Sequence, residues 1–483
     1  MVVASALGPV DESTAKRVAK ERNWRKGYRQ YFEQMTAKSV ESTAQCHAIA
    51  QSGLAAVYEH FEFLRDGQSR PLLEAMSAYN APLFRTAVVR GGGERQELKV
   101  AYRNQVLDAD GLRAQLANWQ QRGIIEASHA TSILRVIDHP ECLADLPPMV
   151  LLGAGSEMGP CAVLLELGFT VIAIDLDRAD VWTKLINLAR HSSGTLVFPI
   201  IEAQTDAMSD EQLASLAGAN LLTQAPEIAT WLLELDRPMA IGAYAYLDGG
   251  DFVRVVVAMD MIMQTVAERS THSVQFAYLL SPTDAFAVPT EVVDAAQAQY
   301  AIRSWLRPLQ SLARLISGSR LCAPNVRRVV IGEQQRSFGI INSLVIQQGP
   351  NYTLAKRIQR WRSVVARGQG TVVSCNVAPA TLTRSVTNNK LFAAGYAGAE
   401  NFGAEAFEAN TSNAVMTAQL INDLSNDQSA SHPNVSLTNP EELFMEGANH
   451  GGFWRMAHQL ASIIEVAVVV GTVKRIFSRA QAS

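Results

Sequence analysis

A glycine-rich turn followed by an acidic residue is the first pattern in the chain that could bind a ligand. Gly153, Gly155 and Gly159 follow a short apolar run that begins at Met149. Glycine lets a backbone approach the phosphates of a nucleotide closely, so that N–H groups at the start of a helix can bind them. Asp175 ends the next predicted strand, where a carboxylate can accept hydrogen bonds from ribose hydroxyls. This pattern predicts a dinucleotide site, with the S-adenosylmethionine site of a methyltransferase as the alternative.

A tyrosine and a lysine form the second pattern. Tyr352 and Lys356 are four residues apart in a predicted helix, so both side chains lie on one face. An ammonium about 4–6 Å from a phenol favours the phenolate and lowers the phenol pKa from its usual value of about 10. The spacing therefore predicts that Tyr352 is a general acid or base near neutral pH.

The segments around these residues alternate between strand and helix patterns. After Pro147-Pro148, a strand from Met149, a helix over Cys161–Leu167 and a strand over Phe169–Asp175 form a βαβ unit. Further strands are predicted at 195–201, 239–246, 273–280 and 371–378, and further helices at 180–190, 209–217, 225–235, 251–269 and 352–367. Such alternation is typical of an α/β fold with a doubly wound parallel sheet.

Together these motifs resemble the short-chain dehydrogenase/reductase family over about residues 150–390. The family's T-G-x-x-x-G-x-G turn is similar to Leu152–Gly159, and its Y-x-x-x-K motif is similar to Tyr352–Lys356. The turn after its sixth strand is similar to Val377–Ala380, which contains Pro379. The resemblance implies a Rossmann-type sheet, NAD or NADP as the cofactor, and hydride transfer at a carbonyl or an alcohol.

The resemblance also implies which residues bind the cofactor. Asp175 favours NAD because a carboxylate repels a 2′-phosphate, and nearby Arg178 leaves NADP open as the alternative. Lys356 would hold the nicotinamide ribose as well as act on Tyr352. The remaining residues implied in cofactor binding are Gly153, Gly155, Ser156, Met158, Gly159 and Pro379.

The catalytic serine of the family has two candidates in this chain. Ser281 ends a predicted strand but lies far before Tyr352 in the sequence, whereas Ser343 lies shortly before it. Ser281 is favoured because its strand directly follows the predicted helix at 251–269, and Ser343 is the alternative. On that helix, Asp260 stands where the family has a catalytic Asn.

The chain also departs from the family pattern at three positions in its turns. Leu152 replaces a Thr, Glu157 replaces the middle Gly of the glycine turn, and Ala380 replaces a Gly. Glu157 is electrostatically unfavourable for a bound pyrophosphate unless its side chain points away.

An insertion at about 289–349 interrupts the sheet pattern. It leaves the sheet beside Ser281 and returns just before Tyr352. Since ligands of open α/β sheets lie at the carboxyl ends of the strands, the insertion is predicted to form a lid or a wall of the site. Its apolar stretches, which begin at Trp305 and Ile340, favour a bulky, largely apolar substrate. A helical bundle packed away from the site is the alternative.

The chain divides into three predicted regions. Residues 1–147 are predicted to be a helical N-terminal region, 148–390 the dinucleotide-binding Rossmann domain, and 391–483 a mostly helical C-terminal extension. The apolar run Ile463–Val473 is too short to span a bilayer and predicts a buried terminal helix or strand. Because Lys474, Arg475 and Arg479 follow it, peripheral membrane contact is the alternative.

Composition excludes several classes of protein. The 483 residues are 48% hydrophobic and 18% charged, which is typical of a globular protein. A net charge of −4 gives no field that gathers nucleic acid. Five widely spaced cysteines and the absence of a recognisable secretory signal predict a reducing, cytoplasmic location. The histidine spacing predicts no metal site. A homo-oligomer is left open, as is a nucleotide-binding sensor or scaffold without turnover.

Overall fold

The computed structural model describes residues 1–144, 146–302, 307–318, 321–388 and 390–482. The helices in this part of the chain are α1 (Val2–Leu7), α2 (Glu12–Lys20), α3 (Trp24–Ser39), α4 (Thr43–His60), α5 (Leu72–Ala78), α6 (Ala109–Gln121), α7 (Ala127–Asp138), α8 (Cys161–Glu166), α9 (Ala179–His191), α10 (Asp210–Leu216), α11 (Ala225–Glu234), α12 (Gly250–Arg269), α13 (Thr290–Ala301), α14 (Arg307–Ile316), α15 (Pro350–Gly368), α16 (Arg384–Asn388), α17 (Lys390–Ala399), α18 (Ala409–Ser425) and α19 (Leu460–Ala482).

The strands in the same ranges are β1 (Glu62–Arg65), β2 (Gln68–Pro71), β3 (Arg85–Arg90), β4 (Val100–Tyr102), β5 (Gln105–Leu107), β6 (Met149–Leu152), β7 (Thr170–Ile174), β8 (Thr195–Ile200), β9 (Met239–Ala243), β10 (Val274–Leu280), β11 (Ala285–Val288), β12 (Val326–Ile331), β13 (Ser337–Asn342), β14 (Val373–Val377), β15 (Thr381–Leu382) and β16 (Phe407–Glu408).

A seven-stranded sheet forms the centre of the fold, in the order β14-β10-β9-β6-β7-β8-β3. All neighbouring pairs are parallel except β3 with β8. The register pairs Leu151 of β6 with Ala173 of β7 on one side and with Gly242 of β9 on the other. The prediction of an α/β chain with a mostly parallel sheet is confirmed.

Both faces of the sheet are covered, which is why its central strands are apolar throughout. Successive side chains of a strand point to opposite faces, and β6 shows this directly. Val150 and Leu152 pack in one core with residues of α11, α12 and α15, whereas Met149 and Leu151 pack in a second core with residues of α8, α9 and α18. The two cores fix the positions of the strand ends.

Two regions that were not predicted to belong to the sheet contain strands. β3 lies in the region predicted to be helical, and it joins the main sheet as an antiparallel edge strand. The β-branched residues Thr86, Val88 and Val89 favour that conformation. Between β10 and α15, the strands β11, β13 and β12 form an antiparallel sheet, and β12 and β13 lie within the predicted insertion.

The N-terminal helices pack against this second sheet. Tyr28 of α3 donates to the carbonyl oxygen of Val345 at 2.6 Å, and Thr36 donates to the carbonyl oxygen of Ala285 at 3.2 Å. At the other end of the chain, α17 and α19 pack on each other. No helix of the described residues, α19 included, is long and apolar enough to cross a membrane.

Candidate functional site

A cavity of about 1140 Å³ opens at the carboxyl ends of five parallel strands. The segments that follow β6, β7, β9, β10 and β14 all contribute to its lining. The strand order reverses between β6 and β9, and ligands of open α/β sheets bind at such a point. The cavity therefore lies where this topology favours a ligand.

Most of the predicted site residues line this cavity. It brings together side chains that are distant in sequence, because the ends of parallel strands meet at one edge of the sheet. The predicted residues in the lining are Gly153, Gly155, Ser156, Met158, Asp175, Ser281, Tyr352, Lys356 and Pro379. Gly159, Asp260 and the alternative serine, Ser343, are not part of the lining.

The glycine turn is held against the neighbouring strands. The Gly153 N–H donates to the carbonyl oxygen of Ile174 at 2.9 Å. Gly153 has a φ of +94°, and an added Cβ would lie 2.5 Å from the backbone of Ala245. Only glycine satisfies both conditions, because a side chain would be strained at this φ and would meet backbone atoms. Gly159 closes the turn through an N–H donated to the carbonyl oxygen of Ser156 at 2.9 Å.

The turn offers free donors to an anionic ligand. The N–H groups of Glu157 and Met158 donate to no acceptor in the part of the chain that the structure describes, and both residues line the cavity. The carboxylate of Glu157 accepts from the Arg384 N–H at 3.0 and 3.1 Å. The Arg384 N–H thus offsets part of the negative charge of Glu157, which itself lines the cavity.

Asp175 stabilises the turn from the end of β7. It accepts from the N–H groups of Gly155 at 2.7 Å and Leu176 at 2.8 Å. Burial raises the pKa of this carboxyl, and the two hydrogen bonds oppose that effect. Arg178 is not available nearby, since its guanidinium binds Asp180 at 2.9 Å and does not line the cavity.

Tyr352 and Ser281 meet in the cavity. The Tyr352 ring packs between Phe252, at a centroid distance of 5.3 Å, and Tyr246, at 6.2 Å. Burial raises the pKa of Tyr352, although a hydrogen bond with the Ser281 hydroxyl acts in the opposite direction. The prediction of a lowered tyrosine pKa is therefore wrong for this structure, because burial outweighs the hydrogen bond.

Lys356 contacts the strand that ends at Ser281 rather than the Tyr352 hydroxyl. Its Nζ donates to the carbonyl oxygen of Leu279 at 2.7 Å and to Oε1 of Gln359 at 3.2 Å. The ammonium lies 6.0 Å from the centroid of the Tyr352 ring. Burial lowers the pKa of Lys356 to about 8. Lys356 thus fixes the end of β10 relative to α15.

The lowered pKa of Lys356 predicts a pH dependence of stability. Between about pH 8 and the usual lysine value of 10.5, the unfolded chain binds a proton that the folded chain has lost. The free energy of unfolding should therefore rise with pH, by up to about 1.4 kcal/mol per pH unit from this group. Urea unfolding across this window should show a flatter pH dependence in Lys356→Met than in the wild type. The exposed Lys184→Met is the control, and equal slopes in all three proteins would contradict the prediction.

Asp260 belongs to a buried ion pair and not to the cavity. Its carboxylate accepts from Nε and Nη2 of Arg362, both at 2.7 Å, and from the Tyr58 hydroxyl at 2.9 Å. Along α12 it is five residues beyond Val255, which lines the cavity, and that is roughly 7–8 Å at about 1.5 Å per residue. The structure does not bring Asp260 to Tyr352 as the resemblance implied, because its helix carries it into the core.

The C-terminal extension contributes one apolar side of the cavity, and residues near the strand ends, such as Leu176, Leu221 and Leu280, contribute the rest of its apolar lining. Of the insertion residues that the structure describes, those in the lining belong to the segment that ends in Gly349, whereas Ile340 and Ile341 are buried in β13. Trp305 and Leu306, which were predicted to form the wall, lie outside the described residues. The apolar lining residues from α17 and α19 are Tyr396, Ala399, Leu460, Ile463, Ile464, Ala467 and Val468.

Close helix packing brings this wall into place. A Cβ on Gly398 would overlap the carbonyl of Ala467, and one on Gly471 would overlap the carbonyl of Ala394. The small residues at these positions are the sequence signal that could have predicted the contact of α17 with α19. Arg25 also lines the cavity, and it was not among the predicted site residues.

No protein-family model, curated protein or solved structure matches the chain. Within the described ranges, no group of three His, Cys, Asp or Glu side chains is placed to hold a metal ion. The cavity instead brings together the glycine turn, the carboxylate of Asp175, and the side chains of Ser281, Tyr352 and Lys356.

Proposed function

We propose that the protein is an NAD-dependent oxidoreductase with a Rossmann-type sheet, similar in its site to the short-chain dehydrogenases/reductases. The observation that carries the proposal is the convergence of the glycine turn, Asp175, Ser281, Tyr352 and Lys356 on one cavity. The strand order from β8 through β6 to β14 is the order 3-2-1-4-5-6 of dinucleotide-binding sheets. Sites of this kind lie at the reversal point, which here is between β6 and β9.

The residues present fit a dinucleotide. The free N–H groups of Glu157 and Met158 would bind the pyrophosphate, and Asp175 would accept from the adenosine ribose. NAD is favoured over NADP because Asp175 would repel a 2′-phosphate and Arg178 is paired with Asp180. When bound, the nicotinamide supplies the hydride.

The chain's own groups would control the proton. Since burial raises the pKa of Tyr352, this tyrosine is protonated at neutral pH and can donate its proton to a substrate carbonyl oxygen. Ser281 would donate a hydrogen bond to the same oxygen. Lys356 positions Ser281 by holding the Leu279 carbonyl. This arrangement favours reduction of a carbonyl near neutral pH over oxidation of an alcohol.

The wall beside Tyr352 indicates the size of the substrate. Apolar side chains of α17 and α19 line the cavity on the C-terminal side, and the volume exceeds the roughly 300–1000 Å³ of most small-molecule sites. Such a space would hold the cofactor together with a bulky, largely apolar substrate.

One observation favours a binding protein without turnover as the second candidate. No electrostatic effect of Lys356 lowers the pKa of Tyr352, and the ammonium is engaged with Leu279 and Gln359. A protein that binds the nucleotide as a sensor would need the glycine turn and Asp175, but it would not need a tyrosine with a lowered pKa.

Calorimetric titration tests the proposal with three ligands: NADH, NADPH and S-adenosylmethionine. We expect NADH to bind most tightly and Asp175→Ala to weaken its binding, because the ribose loses its acceptor.

A second experiment tests turnover: carbonyl compounds of increasing apolar size are added to the protein with NADH, and NADH fluorescence is followed. Binding of NADH without oxidation by any compound would favour the sensor. Binding of S-adenosylmethionine alone would overturn the proposal in favour of a methyltransferase.

A further inference from the structure

Helix α14 turns an apolar face to solvent. Leu312, Leu315 and Ile316 are spaced by three and four residues, so they lie on one side of the helix. Leu315 is 79% exposed, Ile316 is 77% exposed and Leu312 is 52% exposed. Single exposed apolar residues are normal on a protein surface, whereas a contiguous group of them marks a contact with something outside the fold. This face of α14 therefore indicates a docking surface.

The chain around α14 is strongly basic. Between Asp294 and Glu333 the sequence has six arginines and no Asp, Glu or Lys, although the whole chain has a net charge of −4. These arginines are Arg303, Arg307, Arg314, Arg320, Arg327 and Arg328. Among those whose side chains the structure describes, Arg328 is exposed and Arg314 donates to the Tyr300 hydroxyl at 3.0 Å. Neither pairs with a carboxylate of the described residues, so the stretch attracts an external anion.

The segment that follows α14 connects this face to the cavity. The Cys322 N–H donates to the carbonyl oxygen of Ser462 at 3.2 Å. Leu460 and Ile463, on either side of Ser462 in the sequence, line the cavity. Ile316 lies six positions before Cys322, and a chain of that length spans at most about 22 Å at about 3.6 Å per residue. The apolar face of α14 is therefore near the apolar side of the cavity that α19 supplies.

A lipid surface fits both the apolar face and the positive charge. A basic helix with an apolar face lies in the interface of an anionic bilayer, where its apolar side chains enter the lipid and its cations meet the head groups. A second copy of the chain would bring the same arginines against each other in a two-fold contact, which like charges oppose. Nucleic acid would attract the arginines but would leave the leucines in water.

We infer that the exposed face of α14 docks on the surface of an anionic membrane, with Leu312, Leu315 and Ile316 inserted between the lipids. The helix lies on the bilayer and does not cross it. The inference rests on the proposed function in one respect, since a largely apolar substrate would then reach the cavity from the bilayer. The docking itself does not depend on that function and is measured without cofactor or turnover.

Vesicle flotation of the full-length protein tests this inference. One set of vesicles is phosphatidylcholine alone, and the other is equal parts of phosphatidylcholine and phosphatidylserine. The protein should bind the anionic vesicles at least about tenfold more tightly, because anionic lipids attract the basic stretch. At about 1 M salt, where the Debye length is about 3 Å, this preference should disappear. Absence of binding to the anionic vesicles, or a preference that survives the added salt, would overturn the inference.

Two exposed leucines in different elements provide a matched pair of variants. Leu315→Asp should weaken binding to the anionic vesicles at least about tenfold, because it removes an inserted side chain and adds a negative charge. Leu64→Asp makes the same change on β1, where Leu64 is 65% exposed, and should leave binding nearly unchanged. If the two variants weaken binding equally, the attraction comes from overall charge and α14 is not the docking surface.

Two further measurements on Leu315→Asp exclude other roles for the exposed face. The Tm of this variant should stay close to the wild-type value, because the leucine already faces solvent. A Tm lowered in Leu315→Asp but not in Leu64→Asp would show that Leu315 packs within the fold, against the inference. Sedimentation velocity without lipid should give the same species for the wild type and Leu315→Asp. A wild-type dimer that Leu315→Asp dissociates would show that a second copy, and not a membrane, covers α14.

Titration of NADH into the same proteins separates this inference from the proposed function. Leu315→Asp should leave the Kd of NADH unchanged. If the wild type binds anionic vesicles as expected but not NADH, the docking surface is supported and the oxidoreductase is not. If it binds NADH but neither kind of vesicle, the oxidoreductase is supported and the docking surface fails.

Discussion

Tyr352→Phe should reduce the turnover of a carbonyl substrate by roughly 10²–10⁴-fold, the usual contribution of a general acid. The variant loses only the hydroxyl, so the phenyl ring can still pack between Phe252 and Tyr246. The glycine turn and Asp175 are untouched. The Kd of NADH and the unfolding midpoint should therefore remain close to the wild-type values while kcat falls.

A second tyrosine on the sheet provides the matched control. Tyr278 of β10 is buried, its hydroxyl has no hydrogen bond in the described residues, and it does not line the cavity. Tyr278→Phe should leave kcat and NADH binding unchanged. If Tyr352→Phe turns over at the wild-type rate, another group donates the proton and the assignment of Tyr352 is wrong. If both variants lose activity equally, the loss reflects a general disturbance of the sheet.

The sequence predicted the part of the site that lies on strand ends. The whole insertion separates Ser281 from Tyr352 in the sequence, yet the prediction that they share a site followed from one fact. Parallel strands expose their carboxyl ends at one edge of the sheet, so residues just beyond those ends must be neighbours. Of the two candidate serines, Ser281 is in the lining of the cavity and Ser343 is not. The glycine turn and Asp175 also follow strand ends, so they could be predicted at the same edge of the sheet.

The contacts that helix residues make with other helices and strands could not be predicted in this way. Lys356 was expected to lower the pKa of Tyr352, which is near it in sequence. Its ammonium instead donates to the carbonyl oxygen of Leu279, which belongs to β10. Asp260 was assigned to the site, but Arg362 on a neighbouring helix binds it. Periodicity gives the buried face of a helix and leaves open which residue it meets. The same limit applies to the apolar wall from α17 and α19.

The second large effect is expected at a buried ion cluster that fixes the position of α15. Asp284 is 2% exposed, and its carboxylate accepts from Arg357 at 3.0 Å and from Arg360 at 3.1 Å. Both arginines are buried to the same extent, and Arg360 also donates to Glu441 at 2.5 Å. The cluster joins α15, which carries Tyr352, to the loop that carries Ser281.

Asp284→Ala should lower the free energy of unfolding by about 3–5 kcal/mol, the usual cost of leaving a buried charge without its partner. Burial already lowers the pKa of Arg357, and Asp284 opposes that effect, so its loss leaves Arg357 without a direct counter-charge. Urea unfolding of the wild type and the variant measures the difference. Asp180→Ala, which breaks the exposed pair with Arg178, should cost at most about 1 kcal/mol.

A double variant separates the charge effect from the loss of packing. Arg357→Met in the Asp284→Ala background removes the unpaired guanidinium and replaces it with an apolar chain of similar length. It should recover part of the lost stability, because replacing both charges of a buried pair is far less costly than removing one. If the double variant is less stable than Asp284→Ala by the full cost of Arg357→Met alone, the two residues are not coupled. The position of α15, and with it Tyr352, would then depend on apolar packing rather than on the ion cluster.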